Sequence, residues 1–266
     1  MAELPKFDEP PVIEVALSVQ FERLQATPAH FGVYWSECLL ADGWGKVTDT
    51  GRLDDQKEKF GAEREWSEIG RIALSASYQS PRLQFITAND ERMIQVQDSR
   101  FVLNWRRRDG EYPSFNVLKP EFEYRLGQFK DFIGRNDLGV FAVNQWEVTY
   151  LNQIENGTIW QSVADLGAVS SLMDSPVAID GQDLEQFNGA WHFTLNENKG
   201  RLHVNMHTAR RAPDGRDVIV LKLISRGPLS GFDAVAEGLD LGHRHVVRTF
   251  AEMTSAEAHA FWKRRE

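Results

Sequence analysis

The stretch Gln145-Trp146-Glu147-Val148-Thr149-Tyr150-Leu151-Asn152-Gln153-Ile154 decides the fold that we expect for this chain. Apolar and polar residues alternate along it, which is typical of a β-strand. Residues 13–21, Ile-Glu-Val-Ala-Leu-Ser-Val-Gln-Phe, have a similar order: an apolar residue, then Glu-Val, then a mixed run that ends in Gln and an apolar residue. Half of the 266-residue chain separates Glu14 from Glu147. We therefore predict a duplicated chain in which each half begins with a strand that carries a glutamate.

The order of the other predicted elements supports the duplication. Periodicity predicts β-α-β-β-β-β-α for the first half and β-(α)-β-β-β-α for the second. The polar residues 46–69 have little pattern and are interpreted as a long surface connection. The predicted strands are residues 13–21, 72–78, 83–86, 93–97, 101–106, 145–154, 191–195, 201–207 and 218–224; the predicted helices are 31–39, 115–133, 235–250 and a last one near 255–262, with a short helix within 163–173.

Strands in meanders with helices between them predict an α+β fold. We expect two packed pseudo-repeats of β-α-β(3-4)-α, with antiparallel sheets and the helices on one face. The predicted halves are residues 1–138 and 139–266. No Pro/Gly/Ser-rich linker separates them, so we expect the halves to be packed together and not to be free domains.

Composition limits the classes of function. The net charge of −9 disfavours non-specific attraction to nucleic acid or to an anionic membrane. The short basic runs 106–108 and 210–211 are interpreted as solvated strand ends, and a phosphate-binding patch is the alternative. Cys38 is the single cysteine, which excludes an internal disulfide. No run is apolar and long enough to cross a bilayer, and the first residues do not resemble a signal peptide, so we expect a cytoplasmic protein.

Several short motifs resemble one known family. They are Pro10 to Glu14 (Pro-Pro-Val-Ile-Glu), residues 92–97, Asn104-Trp105-Arg106, Tyr112-Pro113, Phe122, Phe129, residues 147–154, an amphipathic segment from 241 to 250, and Thr254 to Trp262. Together they resemble a sporadically distributed family of uncharacterised bacterial proteins, over nearly the whole chain. The resemblance implies a bacterial or phage-related source. It implies no activity, substrate or cofactor.

Glu14 and Glu147 are the first candidate site residues. Two carboxylates from equivalent strands could meet across a pseudo-two-fold axis, and paired carboxylates serve general acid/base chemistry. The simpler interpretation is that each glutamate faces solvent or forms an ion pair with an arginine, because its neighbours in the strand are apolar. We favour the simpler interpretation.

A second candidate group is Asn104-Trp105-Arg106, at the end of a predicted strand. An amide, an indole and a guanidinium at one edge could bind a carboxylate or phosphate. Alternatively, Trp105 continues the core face while Asn104 and Arg106 point away from it. The remaining candidate binding residues are Tyr112, Tyr150 and Asn152.

The sequence predicts no metal site, no cofactor and no catalytic residue. His203 and His207 are four residues apart, but on a strand this spacing separates them by roughly 13 Å. The glycine-rich phosphate loops, the dinucleotide-binding motif and the Gly-x-Ser-x-Gly motif are absent from the sequence.

Two functions follow from these observations. The first is a non-catalytic binding or protein-interaction module, because duplicated sheets leave edge strands and a cleft that can bind peptides, other proteins or a second copy. The alternative is an enzyme or small-ligand sensor with a polar site between the halves, formed by Glu14, Asn104, Arg106, Glu147 and Asn152. We favour the first function, with no membrane partner and no nucleic acid.

Overall fold

A nine-stranded antiparallel sheet is the centre of the fold. The computed structural model describes residues 3–56, 58, 81–173, 179–212 and 214–265. The strands in this part of the chain are Lys6–Phe7 (β1), Val12–Phe21 (β2), Lys46–Thr50 (β3), Arg82–Ile86 (β4), Arg92–Gln97 (β5), Arg100–Arg106 (β6), Val143–Glu155 (β7), Asn188–Thr194 (β8), Arg201–Arg210 (β9), Asp217–Pro228 (β10) and Arg264–Arg265 (β11). β1 and β11 form a separate two-stranded sheet.

The two strands that begin the predicted halves lie side by side in the middle of the large sheet. The strand order is β3-β4-β5-β6-β2-β7-β10-β9-β8, and all neighbours are antiparallel. From β2 outward the neighbours are β6, β5, β4 and β3, and from β7 outward they are β10, β9 and β8. Each half of the chain therefore contributes one side of a single continuous sheet.

The two long helices cover one face of this sheet. The helices are Pro28–Tyr34 (α1), Phe115–Arg135 (α2), Leu166–Val169 (α3), Val235–Met253 (α4) and Ala256–Phe261 (α5). Phe122 of α2 packs on Phe101 of β6, with ring centroids 5.9 Å apart. Lys119 of α2 and Asp240 of α4 form an ion pair of 2.7 Å, so the two helices are neighbours. No helix in the described ranges is long and apolar enough to span a membrane.

The predicted α+β class, the antiparallel pairing and the helices on one face are confirmed. Two expectations are corrected. The described strands of the two halves belong to one continuous sheet and not to two packed sheets. Residues 46–50, predicted as part of a connection, form the edge strand β3. They pair with β4, from which a long insertion separates them in the chain, and local periodicity cannot detect such a distant pairing. The predicted strand 72–78 lies outside the described residues, and the duplication and its boundary near residue 138 remain predictions.

Trp146 of β7 fixes the distance between α4 and the sheet. Its side chain is 2% exposed. Four glycines surround the indole, and a Cβ on any of them would lie within 3.1 Å of an indole atom: Gly200, Gly227, Gly238 and Gly242. At Gly238 of α4 the distance to Cδ1 would be 2.4 Å. Real Cβ atoms do not approach so closely, so the helix can lie here only because these positions lack side chains.

This arrangement predicts opposite effects for two Gly-to-Ala substitutions. Gly238→Ala should destabilise the protein by about 1–3 kcal/mol, because overpacking outweighs the better helix propensity of alanine. Gly127→Ala in α2 is the matched control, since a Cβ there meets nothing within 4 Å. It should stabilise by up to about 1 kcal/mol. Urea unfolding of both variants measures the difference, and equal effects would contradict the packing described.

Candidate functional site

The sheet face opposite α2 and α4 is lined by polar side chains, and we name it the polar face. Strand alternation places on it Glu14, Ser18, Gln20, Gln95, Gln97, Arg100, Asn104, Arg106, Gln145, Glu147, Arg201, His203 and Arg226. Several of these side chains are buried, among them Gln97 at 0% exposure and Gln20 at 3%. Buried polar groups require hydrogen-bond partners. We therefore ask which groups the side chains of the polar face bond to.

A chain of side-chain hydrogen bonds crosses five strands of the polar face. Thr48 Oγ1 donates to Gln84 Oε1 (3.1 Å), and Gln84 Nε2 donates to Gln95 Oε1 (3.0 Å). Gln95 Nε2 then donates to Asn104 Oδ1, and Asn104 Nδ2 donates to Glu14 Oε1, both at 2.6 Å. We name this chain the amide ladder. It uses both Glu14 and Asn104 for contacts within the sheet.

Residues 52–56 and Glu58 form a strap over the polar face. Gln20 Oε1 accepts from the backbone N–H of Gln56 (2.9 Å), and Gln145 Nε2 donates to the Gln56 carbonyl (2.7 Å). Gln145 Oε1 accepts from the N–H of Glu58 (3.2 Å). Gln20 and Gln145 face each other across β2 and β7. The two side chains therefore hold the strap through its backbone.

Glu58 ends the described strap among one histidine and two arginine side chains of β9 and β10. His203 Nε2 lies 2.6 Å from Glu58 Oε1 and Arg226 Nε lies 2.9 Å from the same oxygen, while Arg201 pairs with the other oxygen. Burial alone would raise the pKa of Glu58, but the hydrogen bond from His203 and the nearby positive charges lower it below its usual value. The carboxylate is thus ionised and fully engaged within the chain.

Glu14 and Glu147 share the polar face but do not converge. Glu14 pairs with Leu151 across β2 and β7, whereas Glu147 pairs with Ser18. This offset of four positions separates the two side chains by roughly 13 Å along the strands. Glu147 Oε2 instead lies 3.7 Å from Arg226 Nη1. The favoured interpretation is that each glutamate faces solvent or pairs with an arginine. Glu147 does lie beside an arginine, whereas Glu14 accepts a hydrogen bond from the amide of Asn104.

The Asn104-Trp105-Arg106 motif is divided between the two faces. Trp105 is 1% exposed and belongs to the helix-side core, as its alternation with Asn104 predicts. Arg106 lines an open groove of 820 Å³ at the end of the sheet, together with Arg107 and Arg108. Six carboxylates line the same groove: Asp8, Glu9, Glu14, Asp109, Glu111 and Glu155. The groove therefore lacks the uniformly basic surface that tracking of phosphates requires.

The other three predicted site residues lie on the helix side of the sheet. Tyr112 and Tyr150 join their hydroxyls at 2.7 Å, and the Tyr150 hydroxyl lies 3.0 Å from His243 Nδ1 on α4. Asn152 is buried and donates through Nδ2 to the carbonyl of Leu221 (3.1 Å). The structure thus brings Tyr112, Tyr150 and Asn152 to one cavity and separates them from Glu14 and Glu147, which lie on the opposite face.

Among the residues that the structure describes, β9 is the one strand that pairs with β8, so the backbone groups on the outer edge of β8 have no strand partner there. On the inner side, the N–H of Leu195 bonds to the carbonyl of Gly200 (2.8 Å) and that of Thr208 to Phe187 (3.2 Å). Because bonding alternates along an antiparallel pair, odd-numbered residues of β8 face β9 and even-numbered residues face outward. The outward N–H and C=O groups are those of Asn188, Ala190, His192 and Thr194.

The two edges of the sheet differ in charge and in side chains. β3, the opposite edge, carries Lys46 and Asp49, and charged residues are a common protection of edge strands. Residues 186–196, which include β8, contain no Asp, Glu, Lys or Arg. Phe193 is 44% exposed. The side chain of Trp191 folds over Gly189, where a Cβ would lie 2.7 Å from the indole. β8 is therefore an uncharged edge with an aromatic surface.

No protein-family model matches the chain, and no curated protein matches it. The family resemblance carried by the sequence motifs therefore remains a prediction. No group of three or more metal-ligating side chains is present in the described residues.

Two features of these sites were absent from the sequence-based predictions. The sequence patterns indicate neither a role for His243 nor the position of β8 at the edge of the sheet. Tyr150 follows Trp146 and Val148 at every second position, so alternation already placed it toward the helices. The contact with His243 depends on how α4 lies on β7, and a single sequence carries no signal for it.

The tyrosine–histidine contact predicts how stability depends on pH. Burial lowers the pKa of His243 from 6.5 to about 4, and the charge of Arg244 also lowers it. The unfolded chain therefore binds more protons than the folded one between pH 6.5 and 4. Stability should be complete above pH 6.5 and fall as the pH falls toward 4, by about 3 kcal/mol at most.

Urea unfolding between pH 7 and 4.5 tests this expectation. His243→Gln should flatten the pH dependence in this window. His245→Gln on the same helix is the control: burial also lowers the pKa of His245, but less than that of His243, so its removal should change the slope less. An unchanged slope in His243→Gln would contradict the assignment of a half-buried, neutral His243.

The alternation along β8 predicts a pattern of amide exchange. In the isolated protein the outward N–H groups of Ala190, His192 and Thr194 should exchange with solvent near the rate of an unstructured chain. The N–H groups of Trp191 and Phe193 should exchange roughly a hundredfold more slowly, since they must first break bonds to β9. Hydrogen exchange followed by NMR measures both sets. Equal protection of the two sets would mean that the outer edge is covered.

Proposed function

We propose that the chain is a non-catalytic protein-interaction module that binds an extended segment of another protein along β8. The observation that carries the proposal is the row of outward backbone groups at Asn188, Ala190, His192 and Thr194 on an edge without charged residues. Such an edge pairs with an added strand, and the main-chain hydrogen bonds supply affinity that is independent of sequence.

The side chains of β8 indicate the pattern of the segment that would bind. Trp191 and Phe193 lie on the helix side, and Ala190, His192 and Thr194 lie on the polar side. An added strand would place its own alternate residues beside these two rows. We therefore expect a partner segment that alternates apolar residues, next to the two aromatic rings, with small or polar residues, next to His192.

The alternative function, an enzyme or sensor with a polar site between the halves, has less support. Glu14, Asn104 and Glu147 each hold a partner within the sheet, and Asn152 lies on the other face. Catalytic groups need hydrogen-bond reach of a common point. A bacterial, cytoplasmic setting is part of the proposal and rests on the sequence motifs and the lack of an apolar spanning helix in the described residues.

Substitution of one edge residue tests the proposal. Ala190→Pro removes an outward N–H without breaking a bond to β9, and proline is tolerated at such edge positions. Ala190→Ser is the matched control, because it keeps the N–H. We expect the unsubstituted protein and Ala190→Ser to capture the same protein from lysate of the source organism, and Ala190→Pro to lose most of it.

A photo-crosslinking residue at Thr194 then identifies the segment that binds. The crosslinked peptide should come from an extended region of the partner, and the amides of β8 should become protected from exchange when that peptide is added. Equal capture by Ala190→Pro, or crosslinks that do not involve an extended segment, would overturn the proposal. Light scattering shows whether the bound partner is a second copy of the chain or a different protein.

A further inference from the structure

A cavity of 560 Å³ lies between the sheet, α4, the start of α2 and the segment that contains β1. Its volume is in the range of small-molecule sites. Five aromatic side chains line it: Phe7, Tyr112, Phe115, Tyr150 and Phe250. The Phe115 ring stacks on the imidazole of His243, with centroids 3.9 Å apart and planes 3° apart. These rings form flat apolar walls that suit a planar or narrow apolar body.

The cavity is closed on one side by the chain itself. β1 pairs with β11, and Phe7 packs edge-on against Phe250 with centroids 5.4 Å apart. The N–H groups of Asp8 and Glu9 bond to the carbonyls of Lys263 and Trp262, each at 3.2 Å. The wall is therefore held by backbone hydrogen bonds, so the cavity is preformed and does not depend on a ligand to order it.

The polar groups inside the cavity are neutral. Tyr112, Tyr150 and His243 form one hydrogen-bonded chain, and burial raises the pKa of both tyrosines and lowers that of His243. Asn152 uses Nδ2 for the Leu221 carbonyl, which leaves Oδ1 as an acceptor toward the cavity. These groups can bond a hydroxyl or carbonyl of a ligand, but they cannot neutralise a buried charge.

The mouth of the cavity, by contrast, carries an unmatched positive charge. Asp240 pairs with Lys119, and Arg265 pairs with Asp8. Arg244 lines the cavity and has no carboxylate within ion-pair distance among the described residues. The first turn of α2 also opens here, and its N-cap residue Ser114 makes no capping bond through its side chain. The free N–H groups of a helix start add partial positive charge.

We propose that this cavity binds a small monocarboxylic acid with an apolar ring or chain, its body between the aromatic walls and its carboxylate on Arg244. A guanidinium is suited to a carboxylate because it can donate two parallel hydrogen bonds. The apolar body matches the aromatic walls. Arg244 is the cation of the cavity lining that has no ion-pair partner among the described residues, since Lys6 pairs with Glu3 and Arg265 with Asp8, so one carboxylate matches it. This site is independent of the strand-binding edge of β8.

Calorimetric titration with three probes tests the proposal. The probes are 4-hydroxyphenylacetate, its neutral analogue 2-(4-hydroxyphenyl)ethanol, and decanoate as an unbranched acid. 4-Hydroxyphenylacetate should bind saturably with one site per chain and more tightly than its neutral analogue, and decanoate should compete with it for the same site. Raising the salt concentration should weaken binding of the acid and leave the neutral analogue unchanged, because Arg244 is partly exposed.

Two variants and a matched control locate the site. Arg244→Gln should weaken binding of the acid roughly tenfold, as expected for loss of a charged hydrogen bond, and leave the neutral analogue unaffected. Arg248→Gln makes the same charge change on α4 away from the cavity and should have no effect. Val247→Trp, which fills the cavity from α4, should abolish binding. Circular dichroism and urea unfolding confirm that each variant is folded.

The proposal is overturned if 4-hydroxyphenylacetate does not bind, if the neutral analogue binds as tightly as 4-hydroxyphenylacetate, or if Arg244→Gln and Arg248→Gln weaken the acid equally. Retained binding in a folded Val247→Trp variant would place the ligand elsewhere and also overturn it. None of these outcomes depends on a partner protein, so failure here is distinct from failure of strand binding at β8.

Discussion

The close contact between Trp146 and the glycines around it is the constraint on which the helix side of the structure depends. A large ring and four positions without side chains are complementary, and neither can change alone without a void or a clash. Because α4 meets β7 at Gly238 and Gly242, the next residue of the helix, His243, is held above Tyr150. The cavity geometry therefore follows from the close packing of the Trp146 indole on the glycines of α4.

The two faces of the sheet bury different kinds of side chain. The helix side buries apolar side chains in the usual way, but the polar side buries amides and charges that would be unstable without partners. The chain supplies those partners itself, through the amide ladder and through the strap around Gln20, Gln145 and Glu58. The polar residues that the sequence offers as a candidate site, such as Glu14 and Asn104, are thus engaged in contacts that hold the strands together.

Most of the secondary structure followed from local periodicity, because strands such as β7 and helices such as α4 alternate or repeat with the period of their own geometry. The sites were harder, for a physical reason. Alternation gave the face on which Glu14, Glu147 and Tyr150 lie, but not the register of β2 against β7, which places the two glutamates four positions apart. Other contacts join residues that are distant in the chain. Examples are the pairing of β3 with β4 and the approach of His243 to Tyr150. The local pattern of a single sequence does not encode such contacts.

The amide ladder also has a direction. Every hydrogen bond in it points the same way, from Thr48 through the three amides to Glu14, whose Oε1 accepts the last bond. This last acceptor fixes which atom of each amide is oxygen and which is nitrogen. Reversing one amide alone would place two donors or two acceptors opposite each other. The ladder therefore favours one register of the strands. A slip of any of the five strands by two residues would interrupt it, so a single acidic residue in β2 helps to determine the register of strands as far away as β3.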